Sequence, residues 1–435
     1  MPTRRAFLGS LSWPAVSLAL PAFDPNGMMR ALAAIAGDAG SRPPEEIARD
    51  EAFWFEVRQA FDVDRSMINL NNGGVCPSPR AVMTALHANL DAANALPAYV
   101  MWQLQEPRRE TARQGLARLL GCDPEEVAIT RNASESLETV QLGLDLKRGD
   151  EVLATTQDYP RMLTTFRQRE RREGIVLETF PIPVPCEDPA EIVRRYEERI
   201  GPNTRAILVS HVINLTGQIL PVRELCALAA RRGIAAIVDG AHAFAHLAFT
   251  RDELGCDNYS ASLHKWLLAP IGTGLLYVKR ERIRDVWPLM AAPAEMDANI
   301  RKFEEIGTHP AAPALAIADA LAFHDGIGPK VKQARLRYLR DTWAKRLLAA
   351  SDRVRLHTSL NPAFSSGLGC VQVEGIETAA LGEHLWTKHR IFTVAIKHDA
   401  FEGLRISPNL YTSLDELDRF GDAVEAAIRT GAASA

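Results

Sequence analysis

The sequence has little that points away from a globular protein with a large core. Its six cysteines, Cys76, Cys122, Cys186, Cys226, Cys256 and Cys370, are scattered with no CxxC pair. That argues against a structural zinc site or a dense disulfide framework and leaves most of them as small buried hydrophobes. There is no basic run: Lys and Arg are spread along a chain of net charge -4, so nothing marks a nucleic-acid or anionic-membrane partner. No GxSxG, HExxH or P-loop motif occurs, which removes the usual pointers to a serine hydrolase, a zinc peptidase or an NTPase. Internal repeats are absent, and low complexity is confined to the Ala-rich ends. The one apolar run near the start, Leu8 to Ala22, is short and interrupted by Pro14 and Pro21, so stable membrane insertion is not expected.

What is there is 435 residues, 47% of them hydrophobic, enough for two or three packed units. The opening "TRRAFLG" places paired arginines, Arg4 and Arg5, ahead of that apolar run and a small-residue region. This order is similar to a twin-arginine export signal. Residues 1–34 are expected to be that signal, cleaved near residue 22 or 33, and the mature protein is expected in the periplasm. The twin-arginine route resembles one that carries folded proteins, often with a cofactor already loaded.

Residues 35–75 read as an N-terminal arm with a charged helix candidate at 43–62 and a short strand running into a turn at "MINLNNGG". Beyond it, "EVAIT" (126–130), "EVLATT" (151–156), "IVLETF" (175–180), "RAILVS" (205–210) and "IAAIVD" (234–239) are aliphatic runs separated by helical patterns. The alternation predicts an α/β domain over 76–325 with a largely parallel sheet and helices on both faces. After "TGLLYVKR" (273–280) come long helical stretches at 313–324 and 330–350. Short strands ("GCVQVEG", "IFTVAI", "GLRIS") and helices at 377–389 and 413–429 then predict a smaller α+β domain over 326–435.

Open parallel sheets bind ligands beyond the carboxyl ends of their strands, and here those positions are polar: "RNASES", "QDYPR", "HVINLTG" and "DGAHA". Asp239 follows an apolar strand, where a carboxylate either caps the Asp-Gly turn or meets a positive partner. Asn132 can cap a helix with Glu135 three residues on, leaving first-turn amides that suit an anion. In "SLHKWLLAPIGTG", Lys265 stands beside Ser262 and His264 at the mouth of an apolar segment. An amine for a Schiff base, a carboxylate for a pyridinium nitrogen and a helix N-terminus for a phosphate are what pyridoxal phosphate (PLP) requires.

Taken in order, "INLNNGGVCPSP", "TRNASESLE", "VSHVINLTGQILPV", "VDGAHA", "SLHKWLLAPIGTGLLYV", "GTHPA" and "LRISPNLYTSLDELDRF" resemble the class V aminotransferases among the PLP enzymes of fold type I, in the isopenicillin-N-epimerase-like branch. The resemblance covers nearly the whole mature chain. Exported members exist in that branch, including a periplasmic enzyme that matures pyoverdine side chains. The fold implied is a large domain with a mostly parallel seven-stranded sheet and a small C-terminal α+β domain.

By resemblance, Lys265 carries the cofactor and moves the proton at the substrate's Cα, while Asp239 pairs with the pyridine nitrogen. Tyr159 stacks on the ring, where related enzymes often place a His. Asn214 and His242 contact the 3-hydroxyl, His242 departing from the Gln of related desulfurases. Ala133, Ser134, Ser262 and His264 hold the phosphate. Thr308 in "GTHPA" is similar to a residue that reaches it across a dimer interface, which implies a homodimer with shared sites. Arg405 grips the substrate's α-carboxylate, with Asn72 as a further substrate contact.

One departure concerns the desulfurases, whose small domain carries a nucleophilic cysteine in a loop. "TVAIKHDAFEGL" (393–404) has none, which disfavours persulfide chemistry. The expected function is a PLP enzyme acting on the amino-acid moiety of a small or peptide-like metabolite by transamination or a related Cα step, with no metal. Epimerisation and carbon–sulfur lysis are the alternatives, and a PLP- or metabolite-binding relative without turnover is a third. The joint presence of Lys265, Asp239 and Arg405 argues against that last one.

Overall fold

The computed structural model describes residues 42–431, so the export signal expected at 1–34 lies outside the described residues. A seven-stranded sheet forms the centre. Its strands are β2 (Val127–Thr130), β3 (Glu151–Thr155), β4 (Val176–Phe180), β5 (Thr204–Ser210), β6 (Ala235–Asp239), β7 (Asn258–Ser262) and β8 (Gly274–Val278), with β1 (Ile68–Asn69) preceding them. The order is β2-β8-β7-β6-β5-β3-β4. β8 runs antiparallel to β2 and β7, and the other pairings are parallel. The expected fold type, a mostly parallel seven-stranded sheet in an α/β domain, is what the chain adopts.

Aliphatic strands such as "AAIVD" and "GLLYV" are buried along almost their whole length, as the strands of a sheet covered on both faces must be. β7 was not legible as a strand. Its "NYSAS" lacks β-branched and aliphatic residues, yet every position is buried, because small side chains fit beneath close neighbours. Gly240 shows how tight that packing is: a Cβ there would lie 2.0 Å from the Tyr259 ring.

The C-terminal sheet is antiparallel, in the order β12 (Val394–His398), β13 (Phe401–Ile406), β10 (Gly369–Val373), β9 (Val354–Leu356). β1 does not join the large sheet. It pairs in parallel with β11 (Ile391–Phe392), Ile68 opposite Ile391, and Ile68 and Leu70 enter the same hydrophobic core as Trp343, Leu404 and Phe420. The helix expected at 43–62 is two short ones, Pro44–Ile47 and Glu51–Arg58. Asp50 breaks it by accepting from the Ala52 and Phe53 amides at 3.1 and 3.2 Å, which caps the second helix. All six cysteines are free thiols. Among the described residues no helix is long and apolar enough to cross a membrane.

Candidate active site

The carboxyl ends of β2, β3, β5, β6 and β7 converge on a cavity of about 280 Å³. Each contributes side chains to its wall: Ala133 and Ser134 after β2, Tyr159 after β3, Asn214 after β5, Asp239 and His242 at β6, and Ser262, His264 and Lys265 at β7. Arg405 closes it from β13, and Gly73 and Gly74 from the turn after β1.

Lys265 lies in a loop whose backbone is fixed on several sides. The Leu263 amide donates to Thr273 O at 3.0 Å, the Ala269 amide to Leu263 O at 3.1 Å, and the Cys76 amide to His264 O at 3.0 Å. Its Nζ stands 3.0 Å from His242 Nε2. Burial pulls the amine down to about 8; the Asp239 carboxylate opposes that shift and the Arg405 charge adds to it. Burial also holds the His242 imidazole well below its ordinary range, with the charges of Lys265 and Arg405 acting in the same direction. The neutral imidazole can therefore hydrogen-bond the amine.

This arrangement predicts a pH dependence. Only the neutral amine attacks an aldehyde, and lowering it from 10.5 to about 8 gives ~300-fold more neutral form at pH 7 than an ordinary lysine has. The rate at which added PLP attaches to the apoprotein is expected to rise about tenfold per pH unit below 8 and to level off above it. Stopped-flow absorbance checks this. A rate still climbing at pH 10 would show an ordinary lysine.

Asp239 ends β6 with Oδ1 accepting from the Ala241 amide at 2.9 Å. Burial raises its carboxyl above the usual range, offset in part by that bond and by Lys265, so a further cation facing it would favour ionisation. Behind it, Asp158 accepts from the amides and hydroxyls of both Thr155 and Ser210 at 2.6 to 3.2 Å. Burial still pushes Asp158 up to about 6. These bonds set the turn that presents Tyr159, which is 40% exposed and so can offer a ring face to the cavity.

The helix Ala133–Gly143 points its N-terminus into the cavity. Asn132 Oδ1 accepts from the Glu135 amide at 2.8 Å, and Ser262 Oγ accepts from the Ala133 amide at 2.9 Å. The close approach needs Gly274 on β8, where a Cβ would lie 2.6 Å from the Asn132 backbone. Positive helix-end amides beside two hydroxyls suit a phosphate.

Arg405 is buried, with Nη2 donating to Asn71 Oδ1 at 2.7 Å and Nη1 to Asn214 O at 3.1 Å. A Cβ at Gly73 would crowd the Ser407 hydroxyl at 3.2 Å and stand in ordinary contact with the His242 ring and the Arg405 guanidinium. The orientation of Arg405 thus depends on Asn71, a residue the sequence did not single out. Asn72 was expected to touch substrate and does not line the cavity. It is fully buried, with Nδ2 donating to Asn69 O and Ser407 O and Oδ1 accepting from the Tyr411 hydroxyl. It holds the turn after β1 to β13. Thr308 is also elsewhere in the single chain, in an exposed groove with Trp102, Arg109 and His309.

The test of fit for a cofactor lies in the polar atoms. His242 Nδ1, His264 Nδ1 and Arg405 Nε are buried without a hydrogen-bond partner, an arrangement that costs free energy unless a polar ligand supplies one. With an attachable amine, a buried carboxylate and a phosphate-binding helix end, the residues fit pyridoxal phosphate.

This fold and site define a PLP-dependent enzyme of fold type I. The chain belongs to the aminotransferase class-V family, whose model matches residues 68–420. It is similar to the isopenicillin N epimerase of Streptomyces clavuligerus, 35% identical over 401 residues that cover 86% of this chain and 98% of the relative. A probable cysteine desulfurase of Pseudomonas aeruginosa is 29% identical, covering 84% of this chain and 94% of that protein. Among solved structures, C-DES with glycine covalently linked to its PLP cofactor superposes with a TM-score of 0.75 at 23% identity, over 85% of this chain and 98% of that one. The cysteine desulfurase CsdA of Escherichia coli gives 0.75 at 22%, over 86% and 98%. The last two likenesses concern the fold.

Proposed function

We propose that this enzyme acts at Cα of the amino-acid moiety of a small or peptide-like metabolite, by transamination or a related proton-transfer step, with Lys265 as the group that carries the cofactor and moves the proton. The observation that carries the reading is the 3.0 Å contact of Lys265 Nζ with a neutral His242 in a buried cavity. Bound PLP supplies an electron sink that weakens the bonds at Cα. The protein supplies the rest. Arg405 offers a guanidinium to the α-carboxylate, Asp239 a carboxylate to the pyridine nitrogen, and the Lys265 and His242 pair takes and returns a proton. Tyr159, Asn214, Ser134, Ser262 and His264 surround the ring and phosphate on this reading.

Epimerisation is the second reading, supported by the 35% identity to isopenicillin N epimerase across nearly all of that relative. Desulfuration through a protein persulfide has less support. The β12–β13 hairpin has no cysteine, and Cys370 in neighbouring β10 is fully buried with its thiol pushed up to about 12, far from a nucleophile.

Incubation of the holoenzyme with amino acids and peptide-like metabolites in deuterated water, read by mass spectrometry, separates the outcomes. Loss of the amino group marks transamination. Gain of one deuterium with no other change marks epimerisation, and fragment release marks lysis. A protein that binds PLP yet exchanges no Cα proton with any of them would leave only the binding reading.

The twin-arginine order around Arg4 and Arg5 supports export to the periplasm in the folded, loaded state. Replacing both by Lys is expected to keep the protein in the cytoplasmic fraction, and unchanged export would refute the assignment. A homodimer belongs to the same proposal, with the exposed Thr308 groove as the surface offered to a second copy's site.

A further inference from the structure

Lys332 does not line the cavity, yet it bears on the residue beside the cofactor-carrying lysine. It sits in the helix Pro329–Ala350, is 1% exposed, and its Nζ donates to the backbone carbonyl of Trp266. Its other polar neighbour is His324 Nδ1 at 3.4 Å. Among the described residues no carboxylate offsets the charge, and burial pulls the amine down to about 7. A buried amine without a counter-charge costs free energy. An apolar side chain of like length would fill the space without that cost.

Trp266 is also held from a second side. The His246 ring packs against the indole with centroids 3.8 Å apart. His246 Nε2 accepts from the Gly367 amide at 2.8 Å, which fixes the proton on Nδ1, and Nδ1 donates to His242 O at 2.9 Å. The ring is thus a neutral connector between the segment before β10 and the residue facing Lys265. Gly328, at φ +89°, forms the turn that starts the Lys332 helix. Trp266, immediately after Lys265, is therefore held by two contacts, Lys332 on its backbone carbonyl and His246, itself tied to Gly367, on its side chain.

We propose that Lys332 is a positioning residue: by holding the Trp266 carbonyl it fixes the backbone from which Lys265 reaches His242 and the cofactor. The inference rests on Lys265 as the attachment point. The titratable groups around this contact are His324 on the preceding helix, Cys76 in the segment after β1, and, across Trp266, His246 and Lys265 itself.

The experiment compares wild type with Lys332→Met, using two probes. PLP reports attachment, through growth of its visible band and through borohydride trapping on the Lys265 peptide. Pyridoxamine phosphate, which cannot link to a lysine, reports the seat alone. A charge-assisted hydrogen bond is removed, so attachment is expected to slow about tenfold. Pyridoxamine phosphate affinity should stay within about twofold of wild type, because the seat itself is untouched. An attachment rate equal to wild type would overturn the proposal. So would a parallel loss of pyridoxamine phosphate affinity, which marks general damage.

Should the methionine variant not fold, Lys332→Gln reads the same relation. Its neutral amide holds the carbonyl more weakly, so attachment slows by about threefold, and a glutamine variant that matches wild type overturns the role. A wild type that traps PLP on a different lysine fails at Lys265 itself, and the positioning role goes with it.

Discussion

Replacement of Lys265 by alanine is expected to abolish the visible absorption band that wild type shows with PLP and to lower turnover by about 10⁴-fold or more. A positioned proton carrier alone contributes roughly 10²- to 10⁴-fold, and loss of the covalent anchor adds to that. Affinity for pyridoxamine phosphate should survive, because the seat made by Ser262, the Ala133–Gly143 helix end and His264 does not require the amine. Removal of the alkyl amine leaves His242 without its 3.0 Å neighbour, so the variant also tests whether the imidazole can move the proton alone. Added methylamine restoring part of the rate would show that only the base was lost. A variant that keeps the band would place the attachment elsewhere.

Asp239→Asn is expected to lower turnover by about 10²- to 10³-fold, the scale for removing one preorganised electrostatic partner, with a blue-shifted cofactor band and near-normal PLP content. Asparagine keeps the size and the acceptor for the Ala241 amide, so geometry is preserved while the charge is lost. The apoprotein gives an independent sign. Burial lifts the Asp239 carboxyl above its ordinary value, so the unliganded fold loses stability as pH climbs from that ordinary value through the lifted one, and the penalty is absent in acid. At neutral pH the apo variant should therefore melt no lower than apo wild type. The order should reverse in the holoenzyme, where a protonated ring nitrogen would repay the carboxylate. A variant that melts lower in both forms would point to a structural cap instead of a cofactor partner.

Much of the large domain could be read from the sequence because its strands are aliphatic and end in polar clusters. β2, β3, β5 and β6 each carry that signature, and polar residues that follow them line the cavity. β7 escaped because small polar side chains in a crowded layer look like loop. Asn71 and Asn72 show the limit of motif reading. Neighbours in a turn point opposite ways, and only the fold decides that Asn71 faces Arg405 while Asn72 turns into the packing against Ser407 and Tyr411. Lys332 and His246 were illegible for another reason. One lies far along the chain from Trp266 and the other among apolar residues, so neither carries a local pattern that names its partner.

The pairing of β1 with β11, Ile68 opposite Ile391, makes the carboxylate corner a closure of the two chain ends. Asn71 and Gly73 come from just beyond the first strand, Arg405 from the last. Contacts so distant along the chain form late, since the entropy of closing so long a loop must be met first. The cavity residues from Ala133 to Lys265 all precede the strand that carries Arg405, so loss of either end beyond β1 or β13 would take away the Arg405 corner and leave that wall's residues in the chain.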